Sequence, residues 1–228
     1  MPTREAARSL WWLVHKDLTR KIRAPHALAS MLLLGLVLVF LLATQIDLPL
    51  EQKRSVVGGL LWLAIFFAGT LALERSFANE RDTGCWQALI LYPIAPSVLF
   101  FAKMAVNIVS LVILECVLIP AFIVLTDVPL LARPGPILLI AALGSIGFAA
   151  VGTLVSALTA DLRHRGGLLA LLLFPLVTPV VLGSAEATRM VLAGEVDPLW
   201  WQWVRLLAVF AAVFTVVGAL VFEFVMED

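Results

Sequence analysis

The sequence from Met104 to Leu125, MAVNIVSLVILECVLIPAFIVL, contains one charged residue, Glu115, within an otherwise largely apolar run. At a rise of about 1.5 Å per residue, a helix of this length crosses the roughly 30 Å hydrocarbon core of a bilayer. A surface helix of a soluble protein would carry polar residues along one side. The stretch therefore predicts a transmembrane helix.

Five other runs share this composition, so we expect an all-α integral membrane protein with six transmembrane helices. The predicted spans cover residues 27–46, 56–73, 104–125, 137–160, 168–184 and 206–226. Hydrophobic residues make up 62% of the chain and charged residues 14%, a balance that requires lipid as the solvent. Pro175 and Pro179 remove backbone hydrogen bonds in the fifth run, and we expect them to kink or break its helix.

The distribution of Lys and Arg predicts the orientation of the spans. The segment before the first span and the loops after the second and fourth carry more of these residues than the opposite loops. Short loops rich in Lys and Arg prefer the cytoplasmic side of a membrane. We therefore expect both termini to be cytoplasmic.

Residues 1–26 read as an amphipathic helix in the cytoplasmic interface, set apart from the six-helix domain of residues 27–226. Apolar side chains recur there at helical spacing, at Trp11, Val14, Leu18 and Ile22. A simple membrane anchor is the plainer interpretation of the same pattern. Acidic residues interrupt the segment and no continuous apolar core precedes a cleavage site, so we do not expect a signal peptide.

The loop between the second and third spans, residues 74–97, is the most strongly charged interruption between spans. Residues 74–93 read ERSFANERDTGCWQALILYP, in which charged residues precede Gly84 and apolar residues at helical spacing follow it. A loop that only joins two spans needs just a few polar residues. This pattern predicts that the loop docks a soluble partner.

The sequence lacks the motifs of several enzyme classes. It has no Gly-rich run ending in Gly-Lys-Ser/Thr, no His-Glu-x-x-His and no Gly-x-Ser-x-Gly. Cys85 and Cys116 lack the spacing of metal ligands, and all three histidines fall on or near the predicted cytoplasmic face. We expect no catalytic residues, no bound metal, no directly bound cofactor and no nucleic-acid partner.

Two features of the spans are candidate sites. Glu115 is predicted to lie near the middle of the bilayer, either as a functional polar site or as a hydrogen-bonded tie between two spans. Trp200, Trp201 and Trp203 follow the fifth span on the predicted outer side. They form either an aromatic platform for a flat ligand or, as we favour, part of an interfacial aromatic belt.

Several motifs resemble those of the haem exporter protein B (CcmB) family. In the charged loop they are Leu73-Glu74-Arg75-Ser76-Phe77, Asp82-x-Gly84 and Leu89-x-Leu91-x-Pro93, with Lys103 ten residues further on. A second match runs from Arg165-Gly166-Gly167-Leu168-Leu169 through Phe174-Pro175-Leu176 to Pro179. The length, the six spans and the short termini also agree.

The resemblance implies an ABC-2-type permease-like subunit of the ABC complex of cytochrome c maturation, in a bacterial-type inner membrane. Such a subunit dimerises and binds a separate ATPase, which handles ATP, and other maturation proteins, which handle haem. Haem is then either transported by this chain or held by a partner. A generic exporter of lipid, glycan or drug, and a membrane scaffold without transport, are the alternative functions.

In that role the charged loop couples the membrane domain to the ATPase. Glu80, Arg81 and Asp82 would pair with charges on the ATPase, and Gly84 would allow the turn that follows. An apolar face would then pack into a groove of the ATPase. That face consists of Trp86, Leu89 and Ile90.

Overall fold

A computed structural model describes residues 3–23, 26–46, 48–74, 95–159 and 168–227. Within these ranges the chain forms seven α-helices and one 3-10 turn, Leu130–Ala132, and no strand. The helices are α1 Thr3–Arg23, α2 His26–Thr44, α3 Leu50–Glu74, α4 Pro96–Thr126, α5 Pro134–Thr159, α6 Leu168–Ala193 and α7 Pro198–Glu227. The described helices run back and forth through the bundle, so α1, the end of α3 and the start of α4 lie at one end. We call this the α1 end and the other the far end.

The prediction of an all-α membrane protein is confirmed. Helices α3 to α7 are each long and apolar enough to cross a membrane, and α2 supplies a shorter apolar helix, Leu28–Thr44. Several helices are longer than the predicted spans; α4 begins at Pro96, not residue 104. Its first turns contain polar residues that a search for apolar runs leaves out, although they are helical and partly buried.

The two prolines of α6 do not break the helix, contrary to one of the two expected outcomes. The helix runs from Leu168 through Pro175 and Pro179 to Ala193. Neighbouring helices and local adjustments of the backbone allow proline inside transmembrane helices.

Helix α5 occupies the centre of the bundle. It packs against α3, α4, α6 and α7, and most of its span is buried. Small residues allow this close approach: a Cβ on Gly144 would lie 2.6 Å from the ring of Trp62, and one on Gly152 would collide with Leu73. Phe66 of α3 and Phe148 of α5 stack with ring centroids 5.7 Å apart.

Helix α1 packs along α4. Leu13 contacts the buried core, whereas Trp11 and Trp12 are 65% and 61% exposed. Exposed tryptophans beside a packed face agree with a helix that lies at a membrane surface. The division of the chain at residue 26 remains a prediction.

The contact between α3 and α6 depends on a glycine. A Cβ on Gly58 would lie 2.7 Å from the backbone oxygen of Ala185, and one turn further Trp62 Nε1 donates a hydrogen bond to Thr188 Oγ1 at 3.1 Å. A backbone atom cannot rotate away as a side chain can. The adjacent Gly59 has no atom within 4 Å of its Cβ position.

We therefore expect Gly58→Ala to destabilise the protein by about 1–3 kcal/mol, because α3 and α6 must move apart. Gly59→Ala is the matched control and should be neutral or stabilising by up to about 1 kcal/mol, since alanine favours a helix. Thermal unfolding in detergent measures both. Equal Tm values for the two variants would contradict the packing described.

Candidate functional site: the polar ladder of α4

Four polar residues of α4, which we call the polar ladder, are buried within the bundle. They are Lys103, Asn107, Ser110 and Glu115. Spacings of four and three residues place the first three on one face of the helix, and Glu115 follows eight residues after Asn107. A polar group buried in apolar surroundings is costly unless it has a partner, so the partners of the ladder determine what packs against α4.

At the α1 end, the ladder binds α1 through charged groups. Lys103 Nζ lies 2.8 Å from Asp17 Oδ2, and both side chains are less than a tenth exposed. Lys16 Nζ is 3.5 Å from the other carboxylate oxygen of Asp17. Lys21 Nζ donates a hydrogen bond of 2.7 Å to Ser110 Oγ. Asp17 and Lys21, one turn apart, therefore attach α1 to α4.

Two other residues of the ladder bind α5. Asn107 Nδ2 donates to Thr153 Oγ1 at 2.9 Å, and Ser145 Oγ donates to Glu115 Oε1 at 2.8 Å. The two bonded residues are eight positions apart on each helix, and their order is reversed on α5. This is the pattern of two antiparallel helices in a constant register. Hydrogen bonds between membrane helices contribute about 0.6–2 kcal/mol each. The ladder thus sets the register of α4 and α5.

Glu115 has the interhelical hydrogen bond that the sequence suggested as one alternative. Its side chain is 5% exposed and accepts the Ser145 hydrogen bond, whereas the next residue, Cys116, is exposed. The carboxyl group thus ties α4 to α5. A further role for Glu115 as a functional polar site stays a prediction.

The tryptophans of the predicted aromatic platform differ in their surroundings. Trp200 is buried, Trp201 is 51% exposed and Trp203 is intermediate. The rings of Trp200 and Trp201 meet edge to face at 78°, with centroids 4.9 Å apart. Trp200 and Trp201 therefore do not share a plane, and a ligand-binding role for the three residues stays a prediction.

The predicted coupling loop lies outside the described residues for most of its length. This applies to Glu80, Arg81, Asp82, Gly84, Trp86, Leu89 and Ile90. On either side of them, α3 ends at Glu74 and α4 begins at Pro96. Lys103 lies only two turns into α4, so the polar ladder begins close to where the loop ends.

Sequence reasoning missed Asp17 as a functional residue. It took this residue only as an argument against a signal peptide, and the side chain is buried on the face of α1 that contacts α4. The available signal was a pair of opposite charges at the same predicted end of the bundle: an acid in a mainly basic helix and a lysine at the start of an apolar run.

Asp17→Ala should destabilise the protein by about 3 kcal/mol, because it removes the carboxylate that faces the buried Lys103 ammonium. Lys16→Ala is the control: its half-exposed side chain is more distant from the same carboxylate and should contribute under about 1 kcal/mol. Thermal unfolding of both variants is the measurement. An Asp17→Ala protein as stable as the Lys16→Ala protein would show that α1 is not held by this pair.

Comparison with known proteins gives matches over most of the chain. The chain is 26% identical to Heme exporter protein B of Pseudomonas aeruginosa over 212 residues, which is 91% of this chain and 94% of that protein. It is 29% identical to Heme exporter protein B of Rhodobacter capsulatus over 179 residues, 78% of this chain and 81% of that protein. A protein of the same name from Paracoccus denitrificans is 31% identical over 150 residues, 63% of this chain and 65% of its own length.

The family model described as CcmB protein matches residues 8–227. The match includes Asp17, the polar ladder and its partners on α5, together with the charged loop that first suggested the resemblance. The chain is a multi-pass membrane protein that belongs to the CcmB family.

Proposed function

We propose that this chain is the membrane subunit of a haem export complex, in which it couples a separate ATPase to haem export or to haem delivery by partner proteins. The name shared by three similar proteins, Heme exporter protein B, supports the haem assignment. The bundle of apolar helices supports a membrane subunit. Cytochrome c maturation is the process in which such a complex would act.

The attachment of α1 to α4 is the observation that carries the coupling role. Helix α4 follows the charged loop directly, and its polar ladder contacts α1 through Asp17 and α5 through Thr153 and Ser145. Networks of ion pairs and hydrogen bonds between packed helices transmit displacements. A partner that moves the loop would therefore move α4, and with it α1 and the central helix of the bundle.

The ATPase belongs in a different subunit because the sequence has no phosphate-binding loop. We propose that the loop docks it on the cytoplasmic side of a bacterial-type inner membrane, where both termini would also lie. Trp86, Leu89 and Ile90 would be the apolar anchors of that contact, as in other helix-in-groove complexes. Two copies of the chain, one for each ATPase subunit, would complete the complex.

Transmission of motion to a haem-holding neighbour is favoured over conduction by this chain. Haem iron commonly takes a histidine ligand, and the three histidines of the sequence, His15, His26 and His164, fall on the predicted cytoplasmic side. Haem on the opposite side of the membrane would then take its ligands from another protein.

Trp86→Asp should reduce recovery of the ATPase with this chain by about tenfold or more, because a charge replaces an apolar anchor at the contact. Trp86→Phe is the matched control and should retain the ATPase. The measurement is purification from the native membrane followed by quantitative mass spectrometry of the bound proteins.

Recovery of an ATPase together with cytochrome c maturation proteins would support the proposed complex. An ATPase recovered alone would indicate a generic exporter, and no ATPase with the wild-type chain would indicate a scaffold. If the wild-type chain and Trp86→Asp retain the ATPase equally, the loop is not the docking site.

Glu115→Gln should leave both Tm and the cellular yield of c-type cytochromes near the wild-type values. Glutamine keeps an oxygen that accepts the Ser145 hydrogen bond, and a structural tie needs the acceptor but not the charge. Glu115→Leu, the comparison variant, removes the acceptor and should lower Tm by an amount equivalent to about 1 kcal/mol. A Gln variant with normal Tm and strongly reduced cytochrome yield would instead assign a functional role to the carboxyl group.

A further inference from the structure

A small cavity at the far end of the bundle lies between three elements of the chain. Its volume is about 230 Å³, and it is lined by the start of α3, the connection between α4 and α5, and the end of α6. Two arginines, Arg54 and Arg133, lie in its wall, and the apolar side chains of Leu130 and Val191 line other parts. Two arginines in the wall of one cavity suggest a site for an anionic group.

Arg54 has hydrogen-bonding capacity left over. Its Nε atom is buried and has no hydrogen-bond partner among the described residues. Its Nη1 atom is 3.6 Å from Glu51 Oε1, but the Glu51 side chain is 86% exposed, so water screens this pair. A buried donor without a partner costs free energy, so the protein does not satisfy the whole Arg54 guanidinium.

Arg133 is positioned by the backbone at the end of α6. Its Nη1 atom donates a hydrogen bond of 3.0 Å to the backbone oxygen of Gly194. Gly194 has φ +85°, a conformation that favours glycine, and its missing Cβ would stand 3.8 Å from Arg133 Nη2. Glycine therefore makes the turn whose backbone oxygen accepts the Arg133 hydrogen bond.

The acidic side chains that come next in the sequence do not line the cavity. Asp197 Oδ1 accepts hydrogen bonds of 3.0 Å from the backbone N–H groups of Leu199 and Trp200, so it caps the start of α7. Glu195 is exposed. Glu186 on α6 pairs with Arg189 at 2.7 Å. The net charge of the cavity wall is therefore positive.

We infer that the Arg54–Arg133 cavity binds an oxyanion, the carboxylate or phosphate head of an amphiphile whose apolar body lies outside it. Guanidinium groups match the geometry of both oxyanions. The cavity is smaller than the roughly 300–1,000 Å³ of pockets that enclose a whole small molecule, so it holds a head group only. The oxyanion could come from a porphyrin carboxylate or from a lipid phosphate. The porphyrin rests on the proposed function, whereas the oxyanion site itself does not.

The test uses the full chain, purified without partners, in phosphatidylcholine nanodiscs. Metal-free protoporphyrin IX, whose binding involves no iron, and its dimethyl ester are each titrated into the nanodiscs. Binding is followed by fluorescence, and the signal of empty nanodiscs is subtracted. In parallel, phosphatidylglycerol retained by the detergent-purified chain is quantified by native mass spectrometry. The variants are Arg54→Gln, Arg133→Gln and their double mutant. Arg205→Gln is the control, because Arg205 does not line the cavity and its Nε donates to the backbone oxygen of Trp201 on its own helix, at 3.3 Å.

Each cavity substitution should weaken binding of the preferred anion about tenfold, and the control should leave it unchanged. If protoporphyrin IX binds, its dimethyl ester does not, and each arginine substitution weakens the binding, then the anion is a porphyrin carboxylate. If each arginine substitution reduces the retained phosphatidylglycerol and does not change porphyrin binding, then the anion is a lipid phosphate.

Size-exclusion chromatography checks that the variants are folded like the wild type. If folded wild type, double mutant and control then bind both probes equally, the proposed site is wrong. Because no ATPase is present, this outcome is independent of the coupling role and would leave the proposed function standing. If no ATPase is recovered with the chain from the native membrane, the coupling role is wrong and the oxyanion result is unaffected.

Discussion

A charge buried in an apolar helix bundle needs a partner, and this constraint explains the arrangement of α1 and α4. The ammonium group of Lys103 is almost fully buried, and Asp17 provides a carboxylate 2.8 Å away. Desolvation makes a buried charge costly unless it is paired, and the buried carboxylate of Asp17 holds α1 on α4 through Lys103. Lys21 and Ser110 add a second contact one turn along. The N-terminal helix is therefore packed against the bundle.

Helix α4 also connects α1 to the centre of the bundle. Asn107 and Glu115 bind Thr153 and Ser145 on α5, which itself contacts α3, α6 and α7. Small residues on α5 let these helices approach closely, and large apolar side chains fill the spaces opposite them. Tightly packed helices shift as units and do not deform continuously. In the proposed coupling role, motion of the charged loop before α4 would pass through these contacts to the other helices.

Composition alone predicted the membrane class and the approximate spans, because a bilayer imposes a simple length and polarity requirement on each helix. The ends of the helices were less predictable, since Lys103 is a charged residue inside α4 and the predicted span began only after it. The pairing of Lys21 with Ser110, 89 positions apart, depends on tertiary packing. The far-end cavity was not foreseen for the same reason, as Arg54 lies in α3, Arg133 in the connection between α4 and α5, and Gly194 just after α6. The tryptophan motif did not reveal that Trp200 is buried while Trp201 is not.

A charge exchange between α1 and α4 tests the central claim most directly. In cells, the native copy of the chain would be replaced by Asp17→Lys, Lys103→Asp or the double variant. Membrane abundance of the chain and yield of c-type cytochromes, the readout of the proposed function, would be measured together. Each single change places like charges opposite each other, and we expect low cytochrome yield. The double exchange restores an opposite pair and should recover much of the yield. Normal yield in both single variants, or a double variant no better than either, would contradict a coupling role for the Asp17–Lys103 pair.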